Sequence, residues 1–397
     1  ASMFNSELDA LIPMLCVTLA ALATMGTEAF RGKGERLPVG WWGLIGLGGA
    51  AVSSALLWNR HAEGFEVIAA DNFGLFVTLV LVLVGALTIM FSSQVVERDD
   101  IPAGEYYTLV LFSIVGMIMM ATATDLLVVF IALEILSLAV YVLTGIRRDS
   151  ATGIEGAFKY FLLGAFSSAF FLYGIAFTYG VTGSTRLDAI GAFLAAQALS
   201  ESPLILFALG LLLVGFAFKI SAVPFHMWTP DAYEGAPAIV TGFMSTGVKV
   251  AAFAAFTRVF LSSFEPVVGA WAPLVTGRAA ATMFLGTGVG VAQSNLKRML
   301  AYSSIAHGGY LLVGLVAANE VGKAAILFYL LAYAVTNLAA FGVIALLGSR
   351  ERGNDELRDY AGLWHSKPAL AALMTVCLLS LGGLPPTAGF IAKWYIF

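Results

Sequence analysis

A chain of 397 residues with 59% hydrophobic and only 12% charged residues carries about half the charge of a soluble domain, for which about 25% is usual. A soluble fold of this size could not bury so much apolar surface, so lipid is its expected solvent. The net charge of −4 with no basic stripe excludes nucleic-acid binding. Cys16 and Cys377, far apart in apolar runs, form no CxxC and read as packed thiols.

In chain order, Ala1–Glu7 is polar and acidic, unlike a positively charged signal-peptide start, so the first apolar run is expected to be retained. A helix crossing the bilayer core needs about 20 apolar residues. Runs of that order fall at residues 8–30, 39–58, 73–92, 106–123, 125–146, 154–181, 203–225, 238–262, 274–292, 300–318, 322–348 and 369–397. Alternation with period two is absent, which argues against a β-barrel. The connections are mostly short, so the chain reads as a single all-α, polytopic transmembrane helical bundle. Between spans six and seven, Leu187–Ala198 predicts a short amphipathic surface helix. Prolines interrupt spans seven and twelve.

Basic residues orient the bundle. Loops after odd-numbered spans hold Arg31, Lys33, Arg36, Arg98, Arg147, Arg148, Lys297, Arg298, Arg350, Arg352, Arg358 and Lys367, whereas the even side holds Arg60, Arg186, Arg258, Arg278 and Lys323. The bias places the N-terminus outside and the odd loops in the cytoplasm. Of the 21 Lys and Arg residues, this leaves Lys159, Lys219, Lys249 and Lys393, which fall within spans.

A charge at the centre of a membrane helix costs at least about 2.5–3.5 kcal/mol, so these positions need a reason. Lys219 and Lys249 stand mid-span in the seventh and eighth spans, and Glu134 near the middle of the fifth. A structural Glu134–Lys219 ion pair would need only one cation, and Lys249 is a second. A proton relay accounts for both, since burial and a nearby carboxylate push a lysine's proton affinity in opposite directions. Pro224 cannot donate to the Ile220 carbonyl and breaks the helix just after Lys219; at membrane depth such breaks occur only in protein interior or around a wet cavity. Leu381-Gly-Gly-Leu-Pro-Pro-Thr-Ala-Gly-Phe-Ile-Ala-Lys393 repeats the device in the twelfth span. Two broken helices, each with a lysine, point to an ion path.

Glu134 to Lys219 spans 85 residues (219 − 134) and His307 to Lys393 spans 86 (393 − 307). This suggests two five-helix repeats of inverted topology, over residues 106–262 and 271–397, after an N-terminal three-helix segment at 1–105. In that alignment His307 takes the role of Glu134. Histidine titrates most readily near neutral pH, so His307 and His226 are candidate relay members, with a packed polar group as the ordinary alternative. Lys159 follows Glu155 by four residues and reads either as a surface i,i+4 pair or as a relay member. His61 and His365 fall in loops. No phosphate-binding loop, dinucleotide fingerprint or iron–sulfur cysteine set is present, and the two span histidines lack the surroundings of a haem site.

The segment Val223-Pro-Phe-His-Met-Trp-Thr-Pro-Asp-Ala-Tyr-Glu-Gly-Ala-Pro237 resembles the signature of the antiporter-like membrane subunits of proton-pumping NADH–quinone oxidoreductase, respiratory complex I. Asn295-Leu-Lys-Arg-Met-Leu-Ala-Tyr-Ser-Ser-Ile-Ala-His-Gly-Gly-Tyr310 and Gly383-Leu-Pro-Pro-Thr-Ala-Gly-Phe-Ile-Ala-Lys-Trp-Tyr395 are similar to its other hallmarks, and the Tyr-Glu-Gly variant and Lys393 look like the subunit N branch. The resemblance implies an antiporter-like fold and proton translocation along Glu134, Lys219, Lys249 and Lys393, with His226 and His307 on the joining axis. It implies no cofactor in this chain. FMN, iron–sulfur clusters and quinone belong to partner subunits, and the partners are homologous membrane-arm subunits in a bacterial inner membrane. The family normally has fourteen helices, two more than are read here, so either the sequence is a shortened piece or the lineage is shortened. Rival readings are a subunit of a multi-subunit Na⁺/H⁺ antiporter or membrane-bound hydrogenase, a structural spacer of the membrane arm, and a quinone-reducing module.

Overall fold

The computed structural model describes residues 6–32, 38–197, 202–349 and 355–397. Lys33, Arg36, Arg350 and Arg352 of the charge count, and residues 1–5 of the polar start, lie outside them. All twelve expected spans are helical: α1 (Ile12–Ala29), α2 (Gly40–Leu57), α3 (Asn72–Arg98), α4 (Ala103–Thr122), α5 (Leu126–Thr144), α6 (Ala151–Thr182), α7a (Pro203–Lys219) with α7b (Trp228–Gly235), α8 (Ala238–Ser262), α9 (Val268–Val291), α10 (Leu296–Val316), α11 (Glu320–Leu347), and α12a (Pro368–Gly382) with α12b (Ala388–Ile396). Ten are long and apolar enough to cross a membrane unbroken; the seventh and twelfth are the interrupted pair. Leu187–Ala196 forms the expected surface helix and buries Leu187, Ile190, Gly191 and Leu194, one helical face. A short hairpin, Ala62–Gly64 with Ile68–Ala70, was not expected; three-residue strands are too short to show alternation.

Local chemistry explains where the helices begin. Asp71, Asp125, Ser150, Asn295, Asn319 and Thr387 cap α3, α5, α6, α10, α11 and α12b, each side chain accepting a backbone N–H in the first turn. Proline opens α7a and α12a, where a missing N–H costs nothing. α8 is apolar on all sides, and every residue from 239 to 257 is buried, as an all-round apolar helix must be. Around it pack α3, α4, α10 and α11, while α9 and α10, α4 and α5, and α6 and α7a form close neighbours.

Two small bridges recur at matched places. Asp125 pairs with Arg186 and Asn295 with Glu356, each in antiparallel sense and 61 residues apart (186 − 125; 356 − 295). Leu126 N donates to Thr185 O and Leu187 N to Thr124 O. Leu296 N donates to Asp355 O and Leu357 N to Ser294 O in the same way.

The charge count needs correcting on the even side, where Arg258 lies inside α8, Lys323 in the first turn of α11 and Arg278 deep in α9. Arg278 lies inside α9, where Nη1 donates to the Leu213 carbonyl at 3.3 Å and the guanidinium sits over Phe225, so it is not an even-side loop residue. Lys297 and Arg298 occupy the first turn of α10.

Candidate functional site

α7a ends at Lys219, and the chain runs without helix until Trp228. Side chains knit the break together: Trp228 Nε1 donates to Phe218 O (3.1 Å), and Thr229 Oγ1 donates to Ser221 Oγ (2.7 Å). The break is tied to α9 by Val223 N donating to Thr282 Oγ1 (3.0 Å).

The buried Lys219 ammonium donates to Ser137 Oγ at 2.6 Å and Tyr160 OH at 3.4 Å, and lies 5.4 and 5.3 Å from the ring centres of Tyr141 and Tyr160. Tyr160 is held by stacking on Trp228, with centroids 3.9 Å apart. Among the described residues Glu134 and Lys219 form no ion pair. Glu134 accepts instead from Ser168 Oγ at 2.5 Å. A cavity of about 10 Å³, lined by Ser167, Ser168, Gly215 and Lys219 among others, lies beside the ammonium, room for about one water. The carboxylate and the ammonium thus rest on separate hydroxyls rather than on each other.

Lys249, also buried, donates to both the carbonyl and the hydroxyl of Ser304 (2.7 Å to Oγ) and sits 5.6 Å over the Tyr333 ring. It follows directly on a π-turn, Met244–Val248, inside α8. A Cβ on residue 308 would lie 3.1 Å from the Ile220 carbonyl and 3.8 Å from the Lys249 ammonium. Glycine there lets the α7 break face Lys249 directly. His307 is buried, with Nδ1 hydrogen-bonded to Tyr329 OH and its ring packed among Tyr310, Tyr329 and Tyr333.

Lys393 closes the series. Its ammonium donates to the carbonyls of Leu381 (2.8 Å) and Gly382 (3.2 Å), and lies 5.1 Å over Tyr310. The two carbonyls orphaned by Pro385 and Pro386 are thus satisfied by the lysine itself. Gly383 makes this possible: its φ of +82° suits glycine, and a Cβ there would come within 2.9 Å of Lys393 Cδ.

The residue-for-residue match between His307 and Glu134 does not hold. Counted from the capping residues Asp125 and Asn295, Glu134 matches Ser304 (134 − 125; 304 − 295) and Ser137 matches His307 (137 − 125; 307 − 295). Lys219 precedes its break whereas Lys393 follows its own. The near-equal spacings arise from similar helix lengths.

Two candidates stand apart from the lysines. His226 lies in the break, half-buried, with Nδ1 unpartnered. Lys159 joins an ion cluster with Glu155 (2.6 Å) and Asp231 (2.8 Å), where Arg298 also binds Asp231 and Glu234. Lys297, buried, holds the end of α7b through the carbonyls of Glu234 (2.6 Å) and Ala236 (2.7 Å). Among the described residues no three His, Cys, Asp or Glu side chains gather as metal ligands would. Sequence reasoning missed Ser137, Ser168, Ser304, Tyr160 and the stripe Tyr329, Tyr333, Asn337. The i, i+4, i+8 spacing of that stripe puts three polar groups on one face of an apolar helix, a signal that could have found it.

Residues 123–397 match the family described as NADH:quinone oxidoreductase/Mrp antiporter, TM. The chain is 43% identical to NADH-quinone oxidoreductase subunit N of Trichlorobacter lovleyi, covering all of this chain and 82% of the relative. It is 41% identical to that of Chloroflexus aggregans, over 98% and 81%. The chain belongs to the NADH-quinone oxidoreductase subunit N family. Its fold superposes on a chain of respiratory complex I from Thermus thermophilus with a TM-score of 0.82 at 37% identity, covering 97% and 82% of the two chains. A chain of the Mrp complex from Dietzia sp. shares the fold alone, with a TM-score of 0.81 at 24% identity, over 98% and 74%. The chain is thus an antiporter-like membrane subunit of a proton-translocating NADH–quinone oxidoreductase.

Proposed function

We propose that Glu134, Lys219, Lys249, His307 and Lys393 carry the proton through this subunit. The observation behind this is that Lys219 and Lys249 are buried, yet hydroxyls, carbonyls and ring faces surround them, with no carboxylate in ion-pair contact among the described residues. A static charge would be expected to rest on an opposite charge. A proton carrier needs partners that hold it without trapping it. Movement of the Glu134–Ser168 pair, driven from a neighbouring subunit, changes the field at Lys219, whose small cavity Ser168 also lines. The proton then passes beside the Ile220 carbonyl, where Gly308 leaves the way clear, to Lys249. From there the tyrosine-lined His307 pocket leads to Lys393, since Tyr310 touches both His307 and Lys393.

The finer assignments belong to the same reading. Two inverted repeats, 106–262 and 271–397, follow the three-helix segment 1–105, and the paired bridges at equal spacing support them. α3 packs on α8 and α11, so that segment is part of the one domain. We assign Lys159 to holding α7b through Asp231 rather than to carrying protons, and His226 to the rim of the axis. Homologous antiporter-like subunits are the membrane partners, electrons pass through FMN, iron–sulfur clusters and quinone in other subunits, and the N-terminus lies outside a bacterial inner membrane.

The test uses the purified complex in proteoliposomes. NADH-driven proton uptake should occur without sodium and fall away in Lys393→Ala, with quinone reduction slowed because it is coupled. Sodium-dependent uptake would favour the antiporter reading. Unchanged pumping in Lys393→Ala would leave a structural spacer.

A further inference from the structure

Asn337 lies one turn beyond Tyr333 on α11 and is 1% exposed. Its Nδ2 donates to Ser245 Oγ at 2.7 Å and to Tyr333 OH at 3.1 Å. Ser245 belongs to the π-turn that ends immediately before Lys249. Tyr333 OH in turn donates to Ser304 Oγ at 2.9 Å, the same oxygen that receives the Lys249 ammonium. One amide therefore holds both the backbone turn that aims Lys249 and the hydroxyl pair it is aimed at.

Ordinary interhelical glue would account for one of these bonds. It does not account for the remaining atom, because Asn337 Oδ1 is buried without a partner. Leaving an acceptor unpaired in protein interior is costly, and such residues persist where their orientation matters. π-turns likewise gather at functional sites. The position also repeats: Asn337 stands 18 residues after the cap Asn319, as Ser168 does after Ser150 (337 − 319; 168 − 150). Ser168 is the group that bonds Glu134.

We propose that Asn337 is a positioning residue for Lys249, a role that rests on the relay reading above. The amide N–H points at Tyr333, and the Tyr333 hydroxyl points at Ser304, so both donors run toward Lys249. A proton on Lys249 cannot hop outward through Ser304 and Tyr333 unless these hydroxyls reverse. Reversal needs the amide to present its oxygen to Tyr333. In the observed orientation this branch is closed, and Lys249 exchanges its proton only along the axis between the α7 break and His307.

The experiment compares Asn337→Leu, Asn337→Gln, Tyr333→Phe and the Leu/Phe double variant in the full complex, measuring NADH-driven proton uptake against pH. Asn337→Leu should lower uptake about tenfold and displace the pH profile by about one unit, the effect of roughly one hydrogen bond on one protonation state. Tyr333→Phe should reproduce the displacement, the double variant should be no worse than either, and Asn337→Gln should recover part of the loss. A drop of equal proportion at every pH, or additive effects of the two changes, would show a merely structural role and overturn the proposal. So would wild-type behaviour of an assembled Leu variant. If Asn337→Leu fails to assemble, the Tyr333→Phe and Asn337→Gln profiles decide alone. Lys249→Ala separates the two levels: pumping that survives it sinks the relay reading, whereas pumping lost there but untouched by the Asn337 variants sinks only this inference.

Discussion

Replacing Lys219 by methionine removes the charge and nearly keeps the volume. The lysine loses its bond to Ser137 at 2.6 Å, about 1.5–3 kcal/mol for a charged donor. It also loses the two tyrosine faces at 5.3 and 5.4 Å, about 0.5–2 kcal/mol. Against this, the cost of holding a lysine charge at a helix centre, about 2.5–3.5 kcal/mol on insertion scales, disappears. The terms offset to within about 2 kcal/mol. Ser137 is not stranded, because its hydroxyl also bonds the Leu133 carbonyl. Lys219→Met should therefore assemble in normal amount, judged by native electrophoresis of the complex, while proton uptake in proteoliposomes falls at least about tenfold, which is about 1.4 kcal/mol of barrier. Lys219→Arg should also lose pumping, since arginine keeps the charge but cannot release a proton. An assembled Lys219→Met complex pumping at the wild-type rate would refute the titrating role.

Three further outcomes are expected. Glu134→Gln keeps the bond from Ser168 in shape but removes the anion, so pumping should fall severalfold with Glu134→Asp intermediate; a Gln variant like wild type would make the carboxylate a packing group. Gly383→Ala forces an L side chain to a φ of +82° and into Lys393, costing about 1–2 kcal/mol for the backbone alone. Thermal unfolding should shift down and pumping with it, and an unchanged melting profile would count against the strained cap. The third concerns Asp71, which caps α3 just ahead of its span. Burial alone would raise its carboxyl, but the two bonds from Arg258 at 2.7 and 2.8 Å hold it below the usual carboxylate range. A depressed carboxyl stabilises the fold above its unfolded value of about 3.9 and loses that contribution as pH falls through the lower folded value. Asp71→Asn should thus be less stable than wild type at neutral pH, with the gap closing in acid. A gap that stays constant with pH would show that charge plays no part.

The twelve helices, their two interruptions and the buried lysines follow from the sequence, because each depends on local facts: about 20 apolar residues in a row, a proline without an N–H, a charge among hydrophobes. Glu134, Lys219, Lys249, His307 and Lys393 are conspicuous for the same reason. What each of them touches is a matter of packing. That Glu134 reaches Ser168 and not Lys219, that Lys393 returns to the carbonyls of its own break, and that a side chain at residue 308 would crowd the Ile220 carbonyl beside Lys249 all depend on how helices far apart in the chain approach one another. Serine, tyrosine and asparagine are unremarked in a membrane helix until tertiary structure aims them, since each is neutral and a packing hydrogen bond accounts for any one of them. Spacing along the chain likewise suggested His307 as the counterpart of Glu134, whereas the capped helix starts give Ser137. Residue counts measure contour length, and only the folded register decides which side chains share a level.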